Sequence, residues 1–330
     1  MKKLPLILLS GLLALAACQD QGGFRVTSTG GLSEIFVVSS RDKWDGPMGD
    51  TLKKILREPY PVINQYEPLF DVYYQPSMSN IVSKHRNLIT ILTGPEYTEP
   101  VMTAAYDLNA HPQILVSITG PDNASVTSYM SEHRYELQTI FELAERHRML
   151  DQWNRHSERA IKQQIFDKFH MEMAVPVGNT LRASGDDFMW VSFELPLASQ
   201  GFFIYSYPYT GRENFTVEAL TARRNEFAAR IPGPSDGSYM ITVDEYEPDL
   251  RHVRIEGRYW AEMRGFWDVA NDFMGGPFLS YSTVDVANQR VVTIDCYVFS
   301  PKNPKRNLMR QLENLIYTVK FPGDAALRTE

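Results

Sequence analysis

Hydrolytic chemistry needs acids and bases held close together, and two strings of this chain supply the best material for it. In YWAEMRG (259–265) the two-residue period of a strand puts Trp260, Glu262 and Arg264 on one face. In RVVTIDCYVF (290–299) it puts Thr293, Asp295 and Tyr297 on one face and Val292, Ile294, Cys296 and Val298 on the other. Were these strands neighbours, Glu262, Arg264 and Asp295 would converge into a polar patch able to move protons. The competing and favoured reading is a solvated sheet face crossed by ion pairs. Cys296, on the apolar face, reads as a core thiol rather than a nucleophile.

Two further groups invite a ligand. FFIYSYPY (202–209) lines up Phe203, Tyr205, Tyr207 and Tyr209. That face is either a hydroxyl-tipped platform for a sugar ring or lipid, or a layer packed beneath a helix. Lys302, Lys305, Arg306 and Arg310 gather at the start of the last helix, where positive charge opposes the helix dipole. A bound anion would relieve this, and so would carboxylates from elsewhere in the fold.

Other chemistries find little support. The seven histidines are scattered, without HExxH spacing or a Cys/His cluster, so neither a metal nor a cofactor is expected. There is no GxSxG elbow, and Ser40 with Lys43 fits S-x-x-K without that class's companion motifs. The glycines of GGP (275–277) read as a turn rather than a phosphate loop.

The amino terminus is the most specific signal. Met1-Lys2-Lys3 precedes an apolar run from Leu4 to Ala17. That is short of the ~20 residues a membrane-spanning helix needs, and suits a signal peptide cut before Cys18. Leu15-Ala16-Ala17-Cys18 looks like a bacterial lipobox, in which the thiol takes a diacylglycerol and the new amino end an amide-linked fatty acid such as palmitate. Several acyl chains make a lasting membrane anchor. The polar, glycine-rich stretch up to Gly31 reads as a flexible tether. No acidic run follows Cys18, which points to the periplasmic side of the outer membrane rather than the cell surface.

The formal net charge is −7, more acidic still without Lys2 and Lys3, so neither nucleic acid nor an anionic membrane surface is an expected partner. With Cys18 lipidated, Cys296 has no disulfide partner.

The elements needed to position these residues give an α+β fold. A small α/β layer is expected over 32–122. Its strands are SEIFVVSS, FDVYYQP, NLITILTG and PQILVSITG; GDTLKKILRE is a helix, and SMSNIVSKH and PVMTAAYDL read as short helices. A long helical connector with a cap at Ser125 covers 123–169. An antiparallel sheet packed with helices covers 170–326, opening with MEMAVP as a strand. In the last helix, Leu308, Leu312, Leu315, Ile316 and Val319 form one apolar face.

DKWDGPMGD (42–50), EPLF (67–70), HRN (85–87), YWAEMRG (259–265), DFMGGPF (272–278) and PKNPKRN (301–307), with the lipobox, resemble a Bacteroidetes lipoprotein family catalogued as domain of unknown function 4837. The resemblance extends over essentially the whole chain. It implies a lipoprotein signal and one body, and brings no activity with it. The strand-rich half is also similar in layout to PsbP/Mog1-type sandwiches, which are mostly assembly or binding proteins. Together these lead to a lipid-anchored, non-enzymatic envelope protein that binds a protein or glycan partner; the alternative is a periplasmic hydrolase of an envelope glycan or lipid.

Overall fold

A computed structural model describes residues 26–322. The signal segment, Cys18 and the first part of the tether lie outside the described residues. The tether's end does not hang free. Ser28 N donates to His111 O at 3.0 Å, Thr29 N to Lys84 O at 2.9 Å and His111 N to Val26 O at 2.8 Å. Gly30, at φ 101°, passes so close to His85 that a Cβ would lie 2.2 Å from its Nε2. Residues 26–31 are therefore part of the body, a correction to the flexible tether expected through Gly31.

The amino-terminal layer runs β1 (Glu34–Val38), α1 (Arg41–Asp45), α2 (Pro47–Leu56), β2 (Asp71–Gln75), β3 (Asn87–Thr93), β4 (Val101–Tyr106) and β5 (Ile114–Gly120). The sheet order is β2-β1-β3-β5-β4, with β4 alone antiparallel. Alternation in β1 and β5 sends Ile35, Val37, Ile114, Val116 and Ile118 inward, into one core with Leu52, Ile55 and Leu56 of α2. PVMTAAYDL is thus strand β4 rather than a helix. Its two alanines suggest helix, but the open edge of β5 offers a full ladder from Val101↔Thr119 to Tyr106↔Ile114. SMSNIVSKH holds only a single 3₁₀ turn, Val82–Lys84.

The helical stretch divides into α3 (Asn123–Glu132), α4 (Arg134–Arg155) and α5 (Arg159–Phe169). The cap of α3 is Asp122, which accepts from Ser125 N at 2.8 Å, and not Ser125 itself. Beyond it come β6 (Thr180–Ser184), β7 (Phe188–Leu195), β8 (Ala198–Pro208), α6 (Val217–Ala228), β9 (Tyr239–Thr242), β10 (Asp249–Ile255), β11 (Arg258–Ala270), β12 (Gly276–Asp285), β13 (Arg290–Phe299) and α7 (Arg306–Leu315). These strands make an antiparallel sheet ordered β10-β11-β12-β13-β8-β7-β6, with β9 pairing β11. MEMAVP is not a strand; it makes one bridge, Glu172 to Lys320.

The larger sheet is apolar on both faces. One face, with Phe202, Ile204, Val292, Ile294, Cys296 and Leu279, joins Met309, Leu312 and Leu315 of α7 in a single core that continues into the amino-terminal sheet. The other face, with Phe203, Tyr205, Phe278, Met263 and Tyr297, is closed by Leu220 and Phe227 of α6. α7 packs on β8, β12 and β13 and also against α4. It is the element that both halves of the molecule share.

Candidate functional site

The register of the larger sheet decides between the acid–base patch and the solvated, ion-paired face for Glu262, Arg264 and Asp295, and it gives neither, since these side chains are buried. Strand β12 lies between β11 and β13, pairing Glu262 with Tyr281 and Tyr281 with Ile294. Glu262 and Arg264 therefore share the α7 face with Ile294 and Cys296, and Asp295 points to the α6 face. The three do not converge, because each step across an antiparallel sheet keeps paired residues on one face.

Each group is also occupied. Arg264 Nε donates to Glu262 Oε1 at 2.8 Å, and its Nη2 to Glu313 Oε1 on α7 at 2.5 Å. Tyr60 Oη donates to the other oxygen of Glu313 at 2.7 Å. Asp295 meets Arg224 of α6, with Nε to Oδ2 at 2.9 Å and both side chains at 0% exposure. Burial pushes the Asp295 carboxyl up, to about 6, against the pull of Arg224. Sequence reasoning missed Arg224, although its spacing was informative: Leu220, Arg224, Phe227 and Ala228 are the buried positions of α6, so the arginine stands in an apolar stripe.

The tyrosine platform is core instead of surface. Tyr205 and Tyr207 are 1% and 6% exposed beneath α6, and Tyr205 stacks on Phe227 with ring centroids 4.3 Å apart. Tyr209, partly buried, packs against Phe215 at the end of the same row.

The basic start of α7 does hold an anion, and that anion is a carboxylate of the chain. Glu67 accepts from Lys305 N at 2.7 and 2.9 Å and from Arg306 N at 2.7 Å. Arg306 pairs with Asp71 at 2.6 Å, and Arg310 donates to Ser33 Oγ at 2.6 Å. Lys302 is exposed. Of the two readings of this cluster, a ligand anion and carboxylates from elsewhere in the fold, the structure has the second, and the cluster is the polar joint between the two sheets.

One buried acid organises the rest of that joint. Glu145 of α4, 0% exposed, accepts from Asn87 Nδ2 and Arg86 Nη2, each at 2.7 Å, and lies 3.2 Å from Arg148 Nη1. Arg148 also donates to Asn87 Oδ1 at 2.8 Å and Arg86 O at 2.9 Å. Burial draws the Arg148 guanidinium down to about 10, and the neighbouring charge of Arg86 pulls the same way against Glu145. Glu145 too stands in an apolar row, with Phe141, Met149 and Trp153.

Arg86 and Arg148 open onto a cleft of about 630 Å³ at the seam of the two halves. Its walls carry the amides of Gln152, Asn179, Gln200 and Gln311, with Trp153 and Phe193 among the apolar lining. Behind the wall, Arg86 Nε and Gln200 Oε1 are buried without a hydrogen-bond partner. No expected site residue lies in this cleft. Its parts come from α4, α7, β7, β8, the residue before β3 and the segment between α5 and β6, and no sequence spacing links them. Among the described residues no group of three metal-ligating side chains is placed to hold an ion.

The arrangement defines an α+β protein whose two sheets are joined through buried helices, with a polar cleft at the seam. Residues 158–318 match the family described as a domain of unknown function, DUF4837. Residues 28–154 match a second domain of unknown function, DUF8532. The resemblance expected along the whole chain is thus shared between two families: DKWDGPMGD, EPLF and HRN fall within the second. No curated protein matches the chain. Among solved structures, a protein of Bacteroides thetaiotaomicron is similar at 10% identity and a TM-score of 0.26, over 46% of this chain and 44% of that one. The chain thus spans less than half the length of that protein. The Ran-binding protein Mog1p of Saccharomyces cerevisiae is similar at 12% identity and a TM-score of 0.30, over 46% of this chain and 89% of its own. Neither likeness bears on activity.

Proposed function

We propose that this protein is a lipid-anchored, periplasm-facing envelope protein that binds, without turning over, a small polar monoanion in the seam cleft. A glycan unit carrying a carboxylate has the right chemistry. The observation that carries the reading is the pair of guanidiniums at the wall: Arg86 and Arg148 both line the cleft while sharing the carboxylate of Glu145, with Asp107 a further, weaker counter-charge to Arg148. The four amides offer donors and acceptors for hydroxyl groups, and Trp153 and Phe193 offer apolar surface. Binding without turnover is supported by the state of the acids once considered for hydrolysis, since Glu262 and Asp295 are buried against arginines on opposite sheet faces. The anchor is supported by the Leu-Ala-Ala-Cys string at 15–18.

Calorimetric titration of the full chain with D-glucuronate, D-galacturonate and N-acetylmuramate, beside uncharged D-glucose, tests the cleft. Saturable binding of an acidic sugar is expected, weakened about tenfold by Gln200→Ala with Gln311→Ala. Absence of binding by all three acids, or equal binding of glucose, overturns the reading.

A further inference from the structure

The pinned segment 26–31 limits how far the body can stand from a membrane. Seven residues, 19–25, separate Cys18 from Val26. A fully extended chain of that length reaches at most about 30 Å, so whatever surrounds Val26 stays near the lipid surface.

What surrounds it is one edge of the amino-terminal layer. Val26 and Ser28 are bonded to His111, and Thr29 to Lys84. Gln113 Nε2 ties the two flanking loops together, donating to Ser83 O at 2.7 Å and His85 O at 2.8 Å. Large apolar side chains on this edge face outward: Ile81 is 79% exposed, Tyr106 61%, Leu108 59%, Val26 49% and Met78 39%. An exposed apolar group rimmed by polar backbone and a tyrosine suits the interfacial layer of a bilayer, where aromatic and aliphatic side chains meet the headgroups. At this edge His111 is set against Asp107 and Arg86 against Glu145, so no strong basic field accompanies it.

We infer that the edge formed by Val26, Met78, Ile81, Tyr106 and Leu108 is a membrane-contact surface that dips into the lipid headgroup layer, fixing how the anchored body is oriented. The contact is apolar and does not depend on anionic lipid. It rests on the lipid-anchor reading and not on the cleft.

The test uses the full lipidated chain in phosphatidylcholine vesicles containing brominated lipid. An environment-sensitive fluorophore is attached through Ile81→Cys, through Leu108→Cys or, as a control, through Phe273→Cys; Phe273 is fully exposed in the loop between β11 and β12. Cys296 is buried and stays unlabelled. Quenching at 81 and 108 at least threefold above that at 273, unchanged by added anionic lipid, is the expected result. Equal quenching at all three positions, with the protein still floating with the vesicles, overturns the contact surface alone. Failure to float overturns the anchor and the surface together.

Discussion

Glu67 places both carboxylate oxygens on the amide of Lys305, 238 residues further along the chain, and one of them also on the amide of Arg306. The first turn of α7 thus takes its anion from the opposite half of the molecule. Two amides that a helix start leaves without partners are satisfied, and the charge opposes the crowd of cations around it.

Replacing that carboxylate should therefore cost more than an ordinary cap. Glu67→Ala is expected to lower the unfolding free energy by about 2 kcal/mol, and Glu67→Gln by less, since one acceptor remains. Urea unfolding midpoints measure this, and an unchanged midpoint for the alanine variant would contradict it.

Acid should loosen the same joint. Burial works against the charged form of Glu313, yet Arg264 and the Tyr60 hydroxyl outweigh it and hold the carboxyl below its ordinary 4.5. A carboxyl lowered in the folded state contributes stability that is complete above about 4.5 and is lost as pH falls below that value. Melting temperatures recorded from pH 6 to 3 should fall more steeply for the natural protein than for Glu313→Gln. Parallel curves would show that the pair does not report on folding.

Arg224 and Asp295 make a stronger contrast on the α6 face. Removing one partner leaves a charge, or its hydrogen-bonding atoms, alone at 0% exposure. Asp295→Ala is expected to cost about 3–5 kcal/mol, whereas Arg224→Met with Asp295→Leu should recover most of the loss. Thermal unfolding of the three proteins decides. A double variant as unstable as the single one would mean that the pair's shape matters more than its charge.

The glycines of DFMGGPF hold backbone rather than phosphate. A Cβ on Gly276 would lie 2.1 Å from the carbonyl oxygen of Val298, and no side-chain rotation relieves that. Gly276→Ala should destabilise by about 3 kcal/mol, whereas Gly185→Ala, with nothing within 4 Å of its Cβ, should change little. Comparable stability of the two variants would refute the contact.

Strand parity and helix stripes carried most of the fold. The faces assigned to Trp260, Glu262 and Arg264, and to Cys296 against Asp295, are those of the structure. Parity within a strand does not say which strand lies beside it, and inserting β12 separated Asp295 from the other two. The polar joint was hidden for a related reason. Arg224 and Glu145 read as solvated charges unless their apolar rows are noticed, and their partners lie 71 and 59 residues away. Strand β4 was misread because local propensity favours helix at Ala104 and Ala105, while the ladder that fixes it depends on the free edge of β5.

That α7 completes the cores of both sheets also bears on the order in which a chain made from its amino end can fold. Until residues 306–316 emerge, the sheet surfaces around Ile294 and Cys296 lack their cover and Glu67 has no amides to receive. Neither half can finish early. The joining helix acts as a latch that closes last.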